Sequence, residues 1–393
     1  MALLESLLQN ELELSGESVL PFSQCLLCTA CTKVCANQIP IMQLIPLTRA
    51  FLKEKLGRSR LEKFFFSHVL QSKTTMNNLL KGGSLVQGLF SKRIPEDSGL
   101  RLRFSVYIDS QRRLPALADS RLSDGLSLVN SASKEKGRVA FFAGCMINYI
   151  YSEVGFRLVE TLNRAGISVL FPKDQKCCGT PVYANGDLEN AYKLAQDWVK
   201  TFSGLKDIEA IITACASCGA ALRETYSYLL KPSLWTDKSP GERILIKETW
   251  DSYSSLKPKL MDISEYLIKK ISPGDIFPIN SDYSGVTYHD PCHLRRVLGI
   301  YQEPRHILGK MFGKRLVELP TAGSCCGGGG TFSLSHYQLS RRINQKRIEE
   351  IERSKAELLV TSCPLCMAHL LDGCYQDGLK IKVVHLMDLF KER

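Results

Sequence analysis

The sequence has no run approaching the roughly 18 uninterrupted apolar residues that a membrane-spanning helix needs, so contact with a bilayer is expected to be peripheral or through a partner. A dinucleotide fingerprint is also missing, which places any flavin or nicotinamide hydride chemistry in another chain. The glycine run at 327–330 is no phosphate loop, because cysteine precedes it and no Lys-Ser/Thr follows. Without a zinc-finger helix or other recognition module, the basic residues do not make nucleic acid an expected partner. No basic-then-apolar leader opens the chain, and residues 1–16 are acidic and amphipathic. With an odd number of thiols, this favours a reducing compartment over a secreted disulfide framework. The expected location is cytoplasmic, with peripheral association at the cytoplasmic face of a membrane as a variant.

What the sequence has in unusual number and order is cysteine, set in an ordinary globular composition with 44% apolar and 23% charged residues. Cys145, the pair Cys177 and Cys178, then Cys215 and Cys218 are separated by 31, 36 and 2 residues. Cys292, Cys325 and Cys326, then Cys363 and Cys366 are separated by 32, 36 and 2. Cys25, Cys28, Cys31 and Cys35 form a C-x2-C-x2-C-x3-C run, the spacing that wraps a cubane iron-sulfur cluster. Cys374 stands apart and is expected to be a small buried hydrophobe.

The two blocks of five are an internal duplication, with offsets of 147, 148 and 148 between equivalent cysteines. From the CxxC to a similar amphipathic tail is 44 residues in the first half and 19 in the second, which predicts an insertion of about 25 residues within 231–255. Each copy alternates strand and helix: strands at 138–143, 168–171 and 209–213, with helices at 156–165 and 187–202, then strands at 286–289, 315–319 and 357–361 with a helix at 335–352. Alternation implies a parallel sheet with ligands outside the carboxyl ends of the strands. Every cysteine element follows a strand end, so five thiols should converge on one site per copy.

Upstream, residues 1–50 read as a small helical module whose exit is punctuated by Pro40 and Pro46. A basic linker follows and ends in a Ser-rich, low-order stretch at 120–137. Between 45 and 115 stand 14 Lys or Arg against 5 acids, interleaved with Leu56, Phe64, Phe65, Phe66, Leu79, Leu85, Val86, Leu89 and Phe90. That mixture suits a surface facing anionic lipid or an acidic partner, or an ordinary solvated helical face.

Zinc takes four ligands, usually as two separated pairs, so sets of one, two and two fit it badly. Adjacent cysteines followed by glycine can turn both sulfurs toward one inorganic core. In the N-terminal run, Cys25, Cys28 and Cys31 serve one cubane; Cys35 closes that cluster or reaches one in a partner chain, and Cys374 is the other internal candidate. His289 and His293, flanking Cys292, are expected as hydrogen-bonding neighbours, with potential tuning or proton relay as the alternative. Arg295 and Arg296 offset cluster charge or lie on a solvated face, and Trp198 belongs to the core.

The tandem pattern, together with Tyr288, His289, Asp290 and Pro291 before Cys292, resembles the paired cysteine-rich CCG domains of the heterodisulfide reductase and of the glycolate oxidase and lactate dehydrogenase iron-sulfur subunit families. The likeness covers about residues 15–50 and 138–393; segments 96–103 and 114–118 are similar to the 2-hydroxyacid branch. It implies an α/β fold: a duplicated CCG domain with parallel sheets (138–270 and 271–393), preceded by a ferredoxin-like module (1–50) and a basic docking region (51–137). It further implies a non-cubane [4Fe-4S] cluster in each quintet beside the [4Fe-4S] cubane. Such subunits carry electrons from an FAD-binding partner that oxidises lactate, glycolate or another 2-hydroxyacid to a quinone or other acceptor, a further iron-sulfur or carrier subunit included. The alternative from the same resemblance is a catalytic subunit that cleaves a disulfide at a CCG cluster. The relatives generally carry two ferredoxin runs, and this chain has one.

Overall fold

Short runs of aliphatic residues ending in cysteine, glycine or polar groups become the central strands, as parallel strands covered on both faces require. In the computed structural model the chain is described over residues 2–9, 11–94, 99–102, 112–271 and 283–390. Strands β1 (Ser91–Ile94), β2 (Gly99–Leu102) and β3 (Arg113–Pro115) form a small antiparallel sheet. The second sheet contains β4 (Val129–Asn130), β5 (Gly137–Phe141), β6 (Ile167–Leu170), β7 (Ala210–Thr213) and β8 (Leu260–Asp262), in the order β4-β6-β5-β7-β8. All its pairings are parallel except that of β4. The third contains β9 (Val286–His289), β10 (Leu316–Val317), β11 (Leu358–Thr361) and β12 (Lys382–His385), all parallel, in the order β10-β9-β11-β12.

Without β4 the two parallel sheets have one order, second-first-third-fourth, so the repeat in cysteine spacing is a repeat in topology. The insertion in the first copy contains the helix Pro240–Leu256, started by a reciprocal Ser239–Glu242 capping box and packed on the helix Leu188–Ser203. Trp198 lies in the core, stacked on Phe202 with ring centroids 4.9 Å apart.

Three expectations are corrected. Pro46 lies inside the helix Ile41–Leu56 instead of ending a module. A proline there deprives the Met42 carbonyl of its helical donor, and the Tyr183 hydroxyl donates to that carbonyl at 3.0 Å. The 120–137 stretch is ordered, with the helix Leu122–Gly125 and strand β4. Its serines dilute the hydropathy, but Leu122 and Leu126 are buried, and Leu122 packs so tightly on Gly155 that a Cβ there would fall 2.3 Å from it. Thirdly, Arg112 and Arg113 are internal and not part of a basic surface: Arg112 donates to the Ser333 carbonyl at 2.7 Å, and the Arg113 amide to Asp372 at 2.8 Å.

Leu56, Leu61, Phe64, Phe65 and Leu79 are exposed, as are Lys55, Arg60 and Lys63. The side chains of Leu85, Val86, Leu89, Phe90, Lys92 and Arg93, much of the 96–103 segment, and residues 272–282 and 391–393 lie outside the described residues. Among those described, no helix is long and apolar enough to cross a membrane.

Candidate metal centre

Each copy brings its cysteines together by the same local devices. After β5, Gly144 adopts φ +68 and turns the chain into the short helix Gly144–Tyr149 that carries Cys145; a Cβ on Gly144 would lie 2.8 Å from the Cys218 sulfur. Beyond β6, Cys177 and Cys178 precede Gly179, whose φ of +75 starts the helix Thr180–Ala184. Beyond β7, Cys215 is the N-cap of the helix Ala216–Ala220 that carries Cys218, and a π-helical turn, Ala221–Thr225, continues it. In the second copy Cys292 caps the π-turn His293–Val297, Cys325 and Cys326 precede Gly327 at φ +85, and Cys363 caps the helix Pro364–Gln376 that holds Cys366.

Hydrogen bonds between thiols link Cys145, Cys177, Cys178, Cys218 and Cys215 in that order. In the second copy they link Cys292, Cys325, Cys326, Cys366 and Cys363. The quintets also meet: Cys215 bonds Cys363, the Ser217 hydroxyl lies 3.6 Å from the Cys363 sulfur, and the Ala216 amide donates to the Ser362 carbonyl at 3.3 Å. At the other end Cys28 bonds Cys325. Ten thiols thus form one unbroken series from Cys28 to Cys145, and Cys292 branches from it at Cys325.

Sharing of protons polarises the set. Hydrogen bonds from Cys177, Cys325 and Cys215 hold Cys178, Cys326 and Cys363, respectively, well below the ordinary thiol value. Bonds to neighbouring sulfurs, with burial, push Cys177, Cys218, Cys292 and Cys366 well above it. A ring nitrogen of His289 and the sulfurs of Cys326 and Cys366 lie within 4.8 Å of one another. These three could seat a lone ion, but Cys292, Cys325 and Cys363 border the same cavity, and so many soft donors exceed what one tetrahedral ion takes. The donor set fits a polynuclear iron-sulfur core.

His289 is fully buried, and burial, then Arg347, pushes its imidazole down to about 3, so the ring is neutral. Its Nδ1 accepts from Arg347 Nε at 3.1 Å, and its Nε2 has no partner among the described residues. His293 contacts the Leu27 carbonyl at 3.3 Å, and Arg296 donates to the Cys28 carbonyl at 2.7 Å. Arg295 pairs with Asp290 at 3.5 Å and lies over the Tyr301 ring.

In the N-terminal loop, Leu27 and Thr29 adopt left-handed φ values of 55 and 58. Burial raises the Cys25 thiol, and the charges of Cys28 and Cys31 add to it. Cys35 ends the helix Ala30–Val34, and the amides of Ile39 and Asn37 hold its thiol low; these amides, not other thiols, act on it most. Arg49 pins the loop, donating to the carbonyls of Phe22 (2.9 Å and 2.7 Å), Ser23 (3.1 Å), Cys25 (2.7 Å) and Ala184 (2.6 Å). Cys374 sits in the core, its thiol pushed up to about 12 by burial.

Sequence reasoning missed Arg49 and Arg347. For Arg347 a signal existed, because it shares the inward face of its helix with Ser340, Asn344, Ile348 and Ile351. Arg49 gave none, being one cation in a basic stretch.

The cysteine-rich domain family CCG matches residues 139–223 and 286–371. Lactate utilization protein A of Oceanobacillus iheyensis is 32% identical over 254 residues, 64% of this chain and 96% of that protein. The probable glycolate oxidase iron-sulfur subunit of Bacillus subtilis is 27% identical over 401 aligned positions, covering 100% of this chain and 86% of the relative. A subunit of the fumarate reductase (CoM/CoB) of Methanothermobacter marburgensis is 31% identical over 267 residues, 67% of this chain but only 48% of the relative, so the chain spans about half of that protein. With two matched copies, each ending its strands on a cysteine quintet, the chain belongs to the CCG cysteine-rich domain family that includes lactate utilization protein A.

Proposed function

We propose that this chain is the iron-sulfur electron-transfer subunit of a flavin-dependent dehydrogenase for lactate, glycolate or a similar 2-hydroxyacid. The observation that carries the reading is the unbroken thiol series from Cys28 through both quintets to Cys145. Cys25, Cys28 and Cys31, with Cys35 as the fourth ligand, hold a [4Fe-4S] cubane. The quintet Cys145, Cys177, Cys178, Cys215 and Cys218 and the quintet Cys292, Cys325, Cys326, Cys363 and Cys366 each hold a non-cubane [4Fe-4S] cluster. When bound, these groups supply one-electron transfer at potentials set by hydrogen bonding and exposure. Hydride chemistry belongs to an FAD-binding partner, since no dinucleotide fingerprint is present here. The exposed Leu61, Phe64 and Phe65 among Lys55, Arg60 and Lys63 suit a partner subunit or an anionic membrane surface that offers quinone. The names of the glycolate oxidase and lactate utilization relatives support the same substrate class.

The test is anaerobic purification with the FAD subunit, iron and sulfide counts, and EPR after adding lactate or glycolate. About twelve irons, four for each of three clusters, and their reduction by the hydroxyacid are expected. A lone zinc, or steady turnover of a small disulfide by the isolated chain, would refute the assignment.

A further inference from the structure

The two quintets are not chemically equivalent. Across the offsets of 147 and 148, His289 in the second copy replaces Phe142 in the first, and Arg347 replaces Val199. In the first copy these positions are apolar packing: Phe142 meets Phe202 edge-on at 5.9 Å, and Val199 is buried. The second copy has a buried hydrogen-bonded pair at the same place, facing Cys326 and Cys366.

Arg347 determines what His289 can do. A guanidinium only donates, so the Arg347 Nε–H on Nδ1 requires a lone pair there, and the one proton of a neutral imidazole must sit on Nε2. Arg347 is itself held, donating to Glu350 at 2.6 Å and to the Thr321 carbonyl at 3.2 Å. An Nε2 that carries a proton cannot ligate a metal, and it has no acceptor among the described residues. A buried N–H without an acceptor is unfavourable, and the sulfurs of Cys326 and Cys366, which with a ring nitrogen of His289 lie within 4.8 Å of one another, are the acceptors on offer once they carry a cluster.

We propose that His289, locked by Arg347 as the Nε2–H tautomer, donates a hydrogen bond to the cysteine sulfurs of the second-copy cluster and raises its reduction potential above that of the first. The inference rests on the cluster reading above. A hydrogen bond to a thiolate draws electron density from sulfur and favours the reduced form. His289 is thus a positioning and tuning residue, and the second copy is where an electron rests.

The experiment is an anaerobic EPR-monitored redox titration of the full chain with its clusters, alongside an iron count. His289→Phe, which reproduces the first copy's environment, should lower one of the two CCG cluster potentials and leave the other and the iron content unchanged. His289→Gln, whose amide also donates, should restore most of the shift, and Arg347→Leu should lower the same potential. Unchanged potentials in His289→Phe, or equal shifts in the Phe and Gln variants, would overturn the proposal. Loss of about four irons from both His289 variants would also overturn it, by making the residue a holder of the cluster. Wild-type protein without iron would overturn the cluster reading itself, so the two failures are distinguishable.

Discussion

Replacing Arg49 with alanine should release one cluster and spare two. Its guanidinium is the common donor for four carbonyls on two separate parts of the chain: Phe22, Ser23 and Cys25 beside the N-terminal cysteines, and Ala184 in the first CCG copy. Hydrogen bonds from a charged donor each contribute roughly 1.5–3 kcal/mol, but the Phe22, Ser23 and Ala184 carbonyls end helices where water can replace the donor. Discounting those leaves about 2 kcal/mol, or close to thirtyfold in the equilibrium between docked and undocked loop. The quintets keep all their own contacts. Iron should therefore fall by about four per chain in Arg49→Ala, with the EPR signals of the other clusters retained. Arg49→Lys, which keeps the charge but loses the planar fork, should lie between the two. Full iron content in Arg49→Ala, or simultaneous loss of all clusters, would refute the reasoning.

Gly144→Ala should empty the first quintet, because its left-handed φ costs a non-glycine residue about 1–2 kcal/mol and the new Cβ would meet the Cys218 sulfur at 2.8 Å; normal iron and unchanged thermal stability would contradict this. Cys374→Ala should keep every iron. With its thiol pushed up to about 12 by burial, the thiolate fraction at pH 8 is about one in ten thousand, so alkylation of Cys374 should be slow at pH 8 and quicken roughly tenfold per pH unit above it. Rapid modification of this thiol at pH 8, read by mass spectrometry, would show that the burial is wrong.

The parallel sheets were legible because strands buried on both faces are written as unbroken apolar runs, as in Ala210–Thr213 and Leu358–Thr361. Convergence within each quintet was legible from the cysteines that follow strand ends. The contacts of Cys215 with Cys363 and of Cys28 with Cys325 were not, since they arise from packing between separate modules, and spacing along the chain does not record that. Leu122 and Leu126 were hidden by the serines around them, although two leucines are enough to anchor a short segment. Pro46 misled because the Tyr183 hydroxyl that supplies the missing donor lies 137 residues away in the sequence.

Because the thiols from Cys28 to Cys145 form one path, with Cys292 a side branch at Cys325, the path has two ends with different chemistry around them. At one, the partly buried Cys28 lies beside Cys325, next to the exposed Cys31; at the other, Cys145 and Cys177 border a cleft edged by Lys73, Lys173 and Lys176. A donor and an acceptor that use opposite ends do not compete for one binding face. Steady-state kinetics of such a conductor would follow a two-site ping-pong pattern, with neither redox partner inhibiting the other at saturation.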